Sequence, residues 1–167
     1  SGSRALIIER AKIGTYEAIQ AQCPLETIIT AGEDGNFQTW IAGKADELGE
    51  DMHRDDVAAM VYSAGLTGYA MGAMLTHGNL DHNSNLMGPC FHCDASDRAL
   101  VMIPCFHTFS ASVNFLSMIR LGASMHVMKG MDFSELKYAL TDGGVTSIGA
   151  VPTLCFAFVH HPDLQGI

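Results

Sequence analysis

The sequence predicts an α/β fold, a parallel sheet flanked by helices. Three observations carry this expectation. Apolar runs such as Ala99-Leu100-Val101-Met102-Ile103-Pro104 alternate with segments whose apolar residues recur at helical spacing. The runs are continuous rather than alternating, as in strands covered on both faces. With 48% of its 167 residues apolar, the chain is long and greasy enough to bury a real core. Strands that alternate with helices call for right-handed crossovers between parallel neighbours.

Taken in order, residues 5–8 read as a buried strand, and residues 12–22 as a helix with Ile13, Tyr16, Ile19 and Gln20 at helical spacing, ended by Cys23-Pro24. Residues 27–30 are a β-branched second strand, followed by turn chemistry in Gly32-Glu33-Asp34-Gly35-Asn36. Residues 37–49 carry a short helix, and the acidic stretch 50–56 reads as a surface connection. It divides the chain into two parts, residues 1–54 and 55–167. A strand over 57–62 enters a glycine-rich loop, and a helix leaves it from Thr76, a suitable N-cap, to about Met87. Residues 89–97 read as a loop and 99–104 as a central strand. A helix over 110–121 is closed by Gly122, a strand spans 124–128, and a helix over 133–140 is closed by Gly143-Gly144. A strand over 147–151 leads to Pro152, which suits the first turn of a last helix. Each of the two parts is an incomplete α/β unit, because the chain starts in a buried-type strand and trails off after a helix.

Composition narrows the partners. Nine Lys and Arg stand against 18 Asp and Glu, a formal charge of −9, which argues against nucleic acid. The longest apolar stretches, near 113–121 and 151–159, are too short to span a bilayer. The N-terminus lacks a signal peptide's regions, so a cytoplasmic location is expected. Five scattered cysteines, an odd count, fit a reducing compartment.

The stretch Tyr62-Ser63-Ala64-Gly65-Leu66-Thr67-Gly68-Tyr69-Ala70-Met71-Gly72 looks most like a site. Its backbone N–H groups can face an anion, although an ordinary glycine-rich turn reads the same way. It is not a nucleotide P-loop, because Ala73-Met74 follow the last glycine instead of lysine and a hydroxyl residue. No G-x-G-x-x-G occurs either. Cys90-Phe91-His92-Cys93 has the spacing of a zinc half-site or a redox pair, but no second pair completes it, and no metal site is expected. His160-His161 read as a solvated helix end, and no nucleophile elbow is present.

Over a longer span, residues 62–80 resemble the phosphate-binding signature of the adenylate-forming enzymes, Y-T-S-G-T-T-G-x-P-K-G-x-x-x-T-H-x-N-L. Downstream, Pro104-Cys105-Phe106-His107 is similar to the family's P-x-F-H, Leu121-Gly122-Ala123 to L-x-x-G-A, Val151-Pro152-Thr153 to V-P-T, and His161-Pro162 to the H-P that often follows. Upstream, Ser1-Gly2-Ser3-Arg4 resembles S-G-A-R. The resemblance covers nearly the whole chain and implies an incomplete part of an adenylate-forming N-terminal domain, most like that of the fatty-acid-CoA ligases. It further implies a two-step ligation in which a carboxylate and MgATP give an acyl-adenylate and CoA displaces AMP. Ser63, Gly65, Thr67, Gly68 and Gly72 would hold the phosphates. His107 and Phe106 would shape the acyl or carboxylate pocket, with the helix over 110–121 on the acyl side; the plainer reading of His107 is a helix-flanking histidine bonded to a backbone carbonyl. No catalytic residue is expected within the chain, because the family's adenine segment, acidic magnesium ligand, hinge and catalytic lysine would lie beyond Ile167. The chain alone is therefore expected to be inactive and to self-associate through exposed sheet edges.

Departures from the pattern matter equally. Ala64 and Leu66 replace hydroxyl residues, Ala70 replaces proline, and Met71 replaces lysine. Losing two hydroxyl bonds and one charged bond weakens phosphate binding by roughly 3–6 kcal/mol, on the order of 10²–10⁴ in affinity. A degenerate, non-catalytic binding or assembly module is thus the alternative.

Overall fold

The structure, a computed structural model, describes residues 2–42, 51–63, 65 and 68–167. The chain forms two compact units, Ser1–Glu50 and Asp51–Ile167.

In the first unit, β1 (Ala5–Glu9) and β2 (Thr27–Ala31) are parallel, with Ile7 opposite Ile29. Between them lies α1 (Ile13–Glu17), one turn of regular helix inside the 12–22 stretch expected to be helical. Gly14 and Thr15 are poor helix formers, and beyond Ala18 the chain runs on in turns. Tyr16 and Ile29 form the buried centre. After β2 the chain doubles back: Thr30 N–H donates to Asn36 Oδ1 at 2.7 Å, and Asn36 N–H donates to Thr30 Oγ1 at 3.1 Å. A Cβ at Gly35 would collide with the Thr30 carbonyl oxygen, so the turn needs glycine there. The short helix α2 (Phe37–Ile41) follows and carries Trp40, the chain's single tryptophan. This is the short helix expected within 37–49; it ends at Ala42, whose backbone is extended, and residues 43–50 lie outside the described residues.

The second unit is organised around β5 (Arg98–Val101). It is the centre of a parallel sheet of order β6-β5-β7, with β6 (Ser124–Val127) and β7 (Ser147–Ile148) on either side. Successive side chains alternate faces. Leu100 and Met102 join Met128, Leu136, Ala139 and Leu164 in one core cluster, whereas Ala99 joins Met87, Cys93 and Met118 in another. Burial on both sides explains the continuous apolar run. Helix α6 (Phe133–Thr141) starts where the Asp132 carboxylate accepts the N–H groups of Ser134 and Glu135, and α7 (Pro152–His160) starts with its proline. The expected helix over 110–121 forms, but residues Ser110–Leu116 are wound as a π-helix before α5 (Ser117–Leu121), which Gly122 closes at φ +71°. Three Ser side chains of this segment donate to backbone carbonyls: Ser110 Oγ to Ile103 O at 2.5 Å, Ser112 Oγ to Thr108 O at 2.9 Å and Ser117 Oγ to Ser112 O at 2.8 Å.

Three expectations are corrected. The glycine loop does not run from a strand into a helix: β3 (Val57–Ser63) turns back into β4 (Met71–Thr76), and only then does α3 (His77–Ser84) begin. These two strands are antiparallel, so the parallel pattern does not extend over everything beyond Asp56. The stretch 89–97 is not all loop, because α4 (Met87–Phe91) occupies its start. Pro89 is tolerated there because the first turn of a helix needs no internal N–H partner.

Candidate functional site

The glycine-rich stretch is the tip of the β3–β4 hairpin, and its glycines serve different ends. Tyr62 pairs with Gly72 and Ser63 with Met71 on the last rungs of the ladder. Gly65 and Gly68 have φ of +66° and +80°, a backbone that L side chains rarely adopt, and a Cβ on Gly65 would collide with the Tyr69 carbonyl oxygen. Gly72 has ordinary backbone, but a Cβ there would lie 2.9 Å from Met60 Sδ and 3.1 Å from Tyr62 Cε1, so its bareness lets two side chains of β3 close over it. Ser63 is exposed beside this tip. Thr67, Ala64 and Leu66 lie outside the described residues. Met71, at the family's lysine position, is 64% exposed, and Tyr69 is 79% exposed. Among its described residues the hairpin thus presents the exposed Ser63 hydroxyl and the exposed Tyr62, Tyr69 and Met71 side chains to solvent.

At its far end β4 runs into α3 through a complete capping box. Thr76 Oγ1 accepts the Asn79 N–H at 3.1 Å, and Asn79 Oδ1 accepts the Thr76 N–H at 3.1 Å. The expected cap at Thr76 is therefore present. The strand's base is tied to the same turn: His77 N–H donates to Asp56 O at 3.0 Å and Gly78 N–H to Arg54 O at 2.7 Å.

His107 lies in the turn between β5 and the π-helix. Its N–H donates to Pro104 O at 2.9 Å, and its Nδ1 accepts the Phe109 N–H at 3.3 Å. The residue as a whole is exposed. Phe106 is 84% exposed. Neither side chain lines a cavity among those described. What approaches the hairpin is the next turn: a cleft of about 190 Å³ is walled by Leu75, Asn79, Leu80 and Asn83 on one side and Thr108 and Ser112 on the other.

A cavity of about 540 Å³ runs along β7 between α4 and the π-helix. Met87, Phe91, Phe109, Val113 and Ile148 give it an apolar wall. At one end Asn114, buried, sits against Gly149, whose missing Cβ makes room for the amide. Sequence reasoning missed both the α4 wall and this contact. The first had a signal, the four-residue spacing of Met87 and Phe91; the second, between residues 35 apart, had none.

The rival motifs take structural places. Cys93 is buried in a core cluster and Cys90 is exposed, and among the described residues no group of three His, Cys, Asp or Glu side chains is placed to hold a metal. His161 stacks on Phe133 with ring centroids 3.5 Å apart and planes 9° from parallel, which docks the end of α7 on α6.

Comparison with known proteins agrees with this geometry. The model of the AMP-binding enzyme family matches residues 1–166. YngI of Bacillus subtilis (strain 168), a candidate acyl-CoA synthetase, is 32% identical over 122 residues, which are 71% of this chain and 22% of YngI. The 4-coumarate–CoA ligase 3 of Oryza sativa subsp. japonica is 25% identical over 169 residues, 97% of this chain and 30% of the relative. The crystal structure of ATP-bound MatB from Rhodopseudomonas palustris superposes with a TM-score of 0.83 at 26% identity, covering 96% of this chain and 32% of MatB. The chain therefore spans between a fifth and a third of the length of the proteins it matches. Among the described residues no helix is long and apolar enough to cross a membrane.

Proposed function

The chain belongs to the AMP-binding enzyme family, and from that premise we propose that it is part of an AMP-forming acyl-CoA synthetase in which the β3–β4 hairpin holds the phosphates of ATP. The observation that carries this reading is the hairpin tip. Gly65 and Gly68 hold the backbone at positive φ, the kind of turn in which N–H groups can face an anion, and a side chain at Gly65 would collide with the Tyr69 carbonyl. Such a tip fits a phosphate. Gly65, Gly68 and Gly72 shape it, and Ser63 and Thr67 add hydroxyl donors.

In this reading the acyl group lies on the side of the π-helix, beyond His107 and Phe106, and the cavity between α4 and β7 is the available apolar volume. A fatty acyl chain would lie along the apolar wall of Met87, Phe91, Phe109, Val113 and Ile148, with His92, Asp97, Thr146 and Ser147 as the polar part of the lining. The carboxylate would enter as the nucleophile toward the α-phosphate, and CoA would take the acyl group in the second step. Mg2+ enters this reading with ATP, and the described residues offer it no cluster of ligands of their own. The reaction is proposed for a protein that contains this chain, in the cytoplasm, with the isolated chain inactive.

A second reading has its own observation. Met71 stands 64% exposed at the family's lysine position, so the hairpin lacks the cation that would meet the phosphates. That favours a non-catalytic module. Calorimetric titration with MgATP separates the two: binding weakened 10²–10⁴-fold relative to a family member with the full motif, as the lost bonds imply, still supports an ATP site. No heat at millimolar MgATP, with the hairpin's amide resonances unmoved, overturns the phosphate reading. Exchange of labelled pyrophosphate into ATP by the isolated chain would overturn its inactivity.

A further inference from the structure

We propose that Asp81 is a positioning residue, whose carboxylate fastens the base of the β3–β4 hairpin, through Arg54, to the end of α5, through Arg120, and so fixes the glycine loop relative to the helical segment that follows His107. The inference rests on the phosphate reading of the hairpin for its functional meaning, but its geometry stands apart from that reading.

The two carboxylate oxygens are divided between two arginines. Oδ2 accepts from Arg54 Nη1 at 2.8 Å, and Oδ1 accepts from Arg120 Nη1. Arg120 is oriented further by its Nε, which donates to Asn85 Oδ1 at 2.7 Å just beyond the last turn of α3. Arg54 is held from its other end, since its carbonyl accepts the Gly78 N–H at 2.7 Å. This approach is close: a Cβ on Gly78 would lie 3.0 Å from the same carbonyl oxygen. One carboxylate on α3 therefore joins the segment entering β3 to the segment leaving the π-helix. In a chain with twice as many acids as bases, two arginines converging on a single acid is a selective arrangement.

The hairpin needs such a fastening. Among the described residues it is a two-stranded sheet, and its pairing shifts register at its base, between Val57 and Ala59. The direction in which its tip points is set where it leaves the body of the unit, and that is where Arg54 and Asp56 bond to the first turn of α3. The ion pairs are partly exposed and open to salt, so their loss should be felt locally rather than in the core around β5.

The test follows amide hydrogen exchange at His77, Gly78 and the β3–β4 ladder, together with calorimetric titration of inorganic pyrophosphate, in the wild type, Asp81→Asn, Arg54→Gln and Arg54→Lys. Asp81→Asn and Arg54→Gln are expected to speed exchange at these amides about two- to five-fold and to weaken pyrophosphate binding by a similar factor, the size expected of exposed ion pairs. The midpoint of thermal unfolding should stay within about two degrees. Arg54→Lys, which keeps the charge, should recover part of both effects, and roughly 0.5 M NaCl should speed exchange at these amides in the wild type but not in Asp81→Asn. Unchanged exchange in Asp81→Asn overturns the proposal. So does exchange raised equally at β5, which would make the carboxylate a contributor to global stability. Faster hairpin exchange in a protein that binds no pyrophosphate sustains the fastening and overturns only the phosphate reading.

Discussion

The sheet around β5 and the hairpin of β3 and β4 are made of similar residues and used in opposite ways. On β5, Leu100 and Val101 are 0% and 1% exposed, with a helix packed over each face. On the hairpin, Tyr62, Met71 and Met74 are 55%, 64% and 64% exposed, and among the described residues no third strand joins it. Apolar side chains in the first region exclude water and hold the unit together. In the second they flank a loop whose backbone, in the proposed reading, meets phosphate. Stability and presentation are thereby separated, as in proteins whose binding loops belong to the least protected part of the fold.

The largest effect that can break this comparison is a cavity in the sheet region. Leu100→Ala and Leu136→Ala should each cost about 2–5 kcal/mol in urea unfolding, against less than about 1 kcal/mol for Tyr62→Ala in the hairpin. Equal losses would show that the hairpin is part of the same cooperative core. Next in size is a gain of binding. Met71→Lys returns a cation to the hairpin, and a charged hydrogen bond of about 1.5–3 kcal/mol corresponds to roughly 10–150-fold tighter MgATP. A Kd that does not move would place the phosphates elsewhere. At the junction, Thr76→Ala removes the side-chain half of the capping box, and about 1 kcal/mol of stability with it, measurable as a lowered midpoint in thermal unfolding.

The smallest effect is a difference in acid response, with one carboxylate in each region. Arg120 first, and then Arg54, hold the Asp81 carboxyl below its ordinary range; the Ser96 hydroxyl, and then the Ser96 N–H, do the same for Asp94, in the turn before β5. A lowered value in the folded state means that each pair contributes above the ordinary carboxylate range and that the contribution disappears as pH falls through the lowered value. Urea midpoints followed from about pH 5 to pH 2 should therefore converge for the wild type, Asp81→Asn and Asp94→Asn at the acid end. A gap that persists there would mean that the variants act through packing instead of charge.

Much of the sheet region was legible because its signals are local. The run 99–104 announces a strand covered on both faces, Pro152 opens a helix, Gly122 closes one, and Thr76 caps one. The hairpin was legible only as a motif. Met71-Gly72-Ala73-Met74-Leu75-Thr76 neither alternates nor is rich in β-branched residues, and it becomes β4 because β3 pairs with it. Helix α4 was hidden by Gly88 and Pro89, residues that discourage helices except in the first turn, where they sit. The π-helical turn, the Asn114–Gly149 contact and the convergence on Asp81 depend on positions far apart in sequence, and no spacing announces them.

Trp40 has a practical consequence. The only indole of the chain sits in α2, within the first compact unit, and is 41% exposed. Emission excited at the red edge of the absorption band, where tyrosine is dark, will follow that unit alone, while circular dichroism weighs the helices of both. The two signals recorded on one denaturation curve form a built-in pair of channels: coincident transitions mean that the units melt together, and separated ones that each melts by itself.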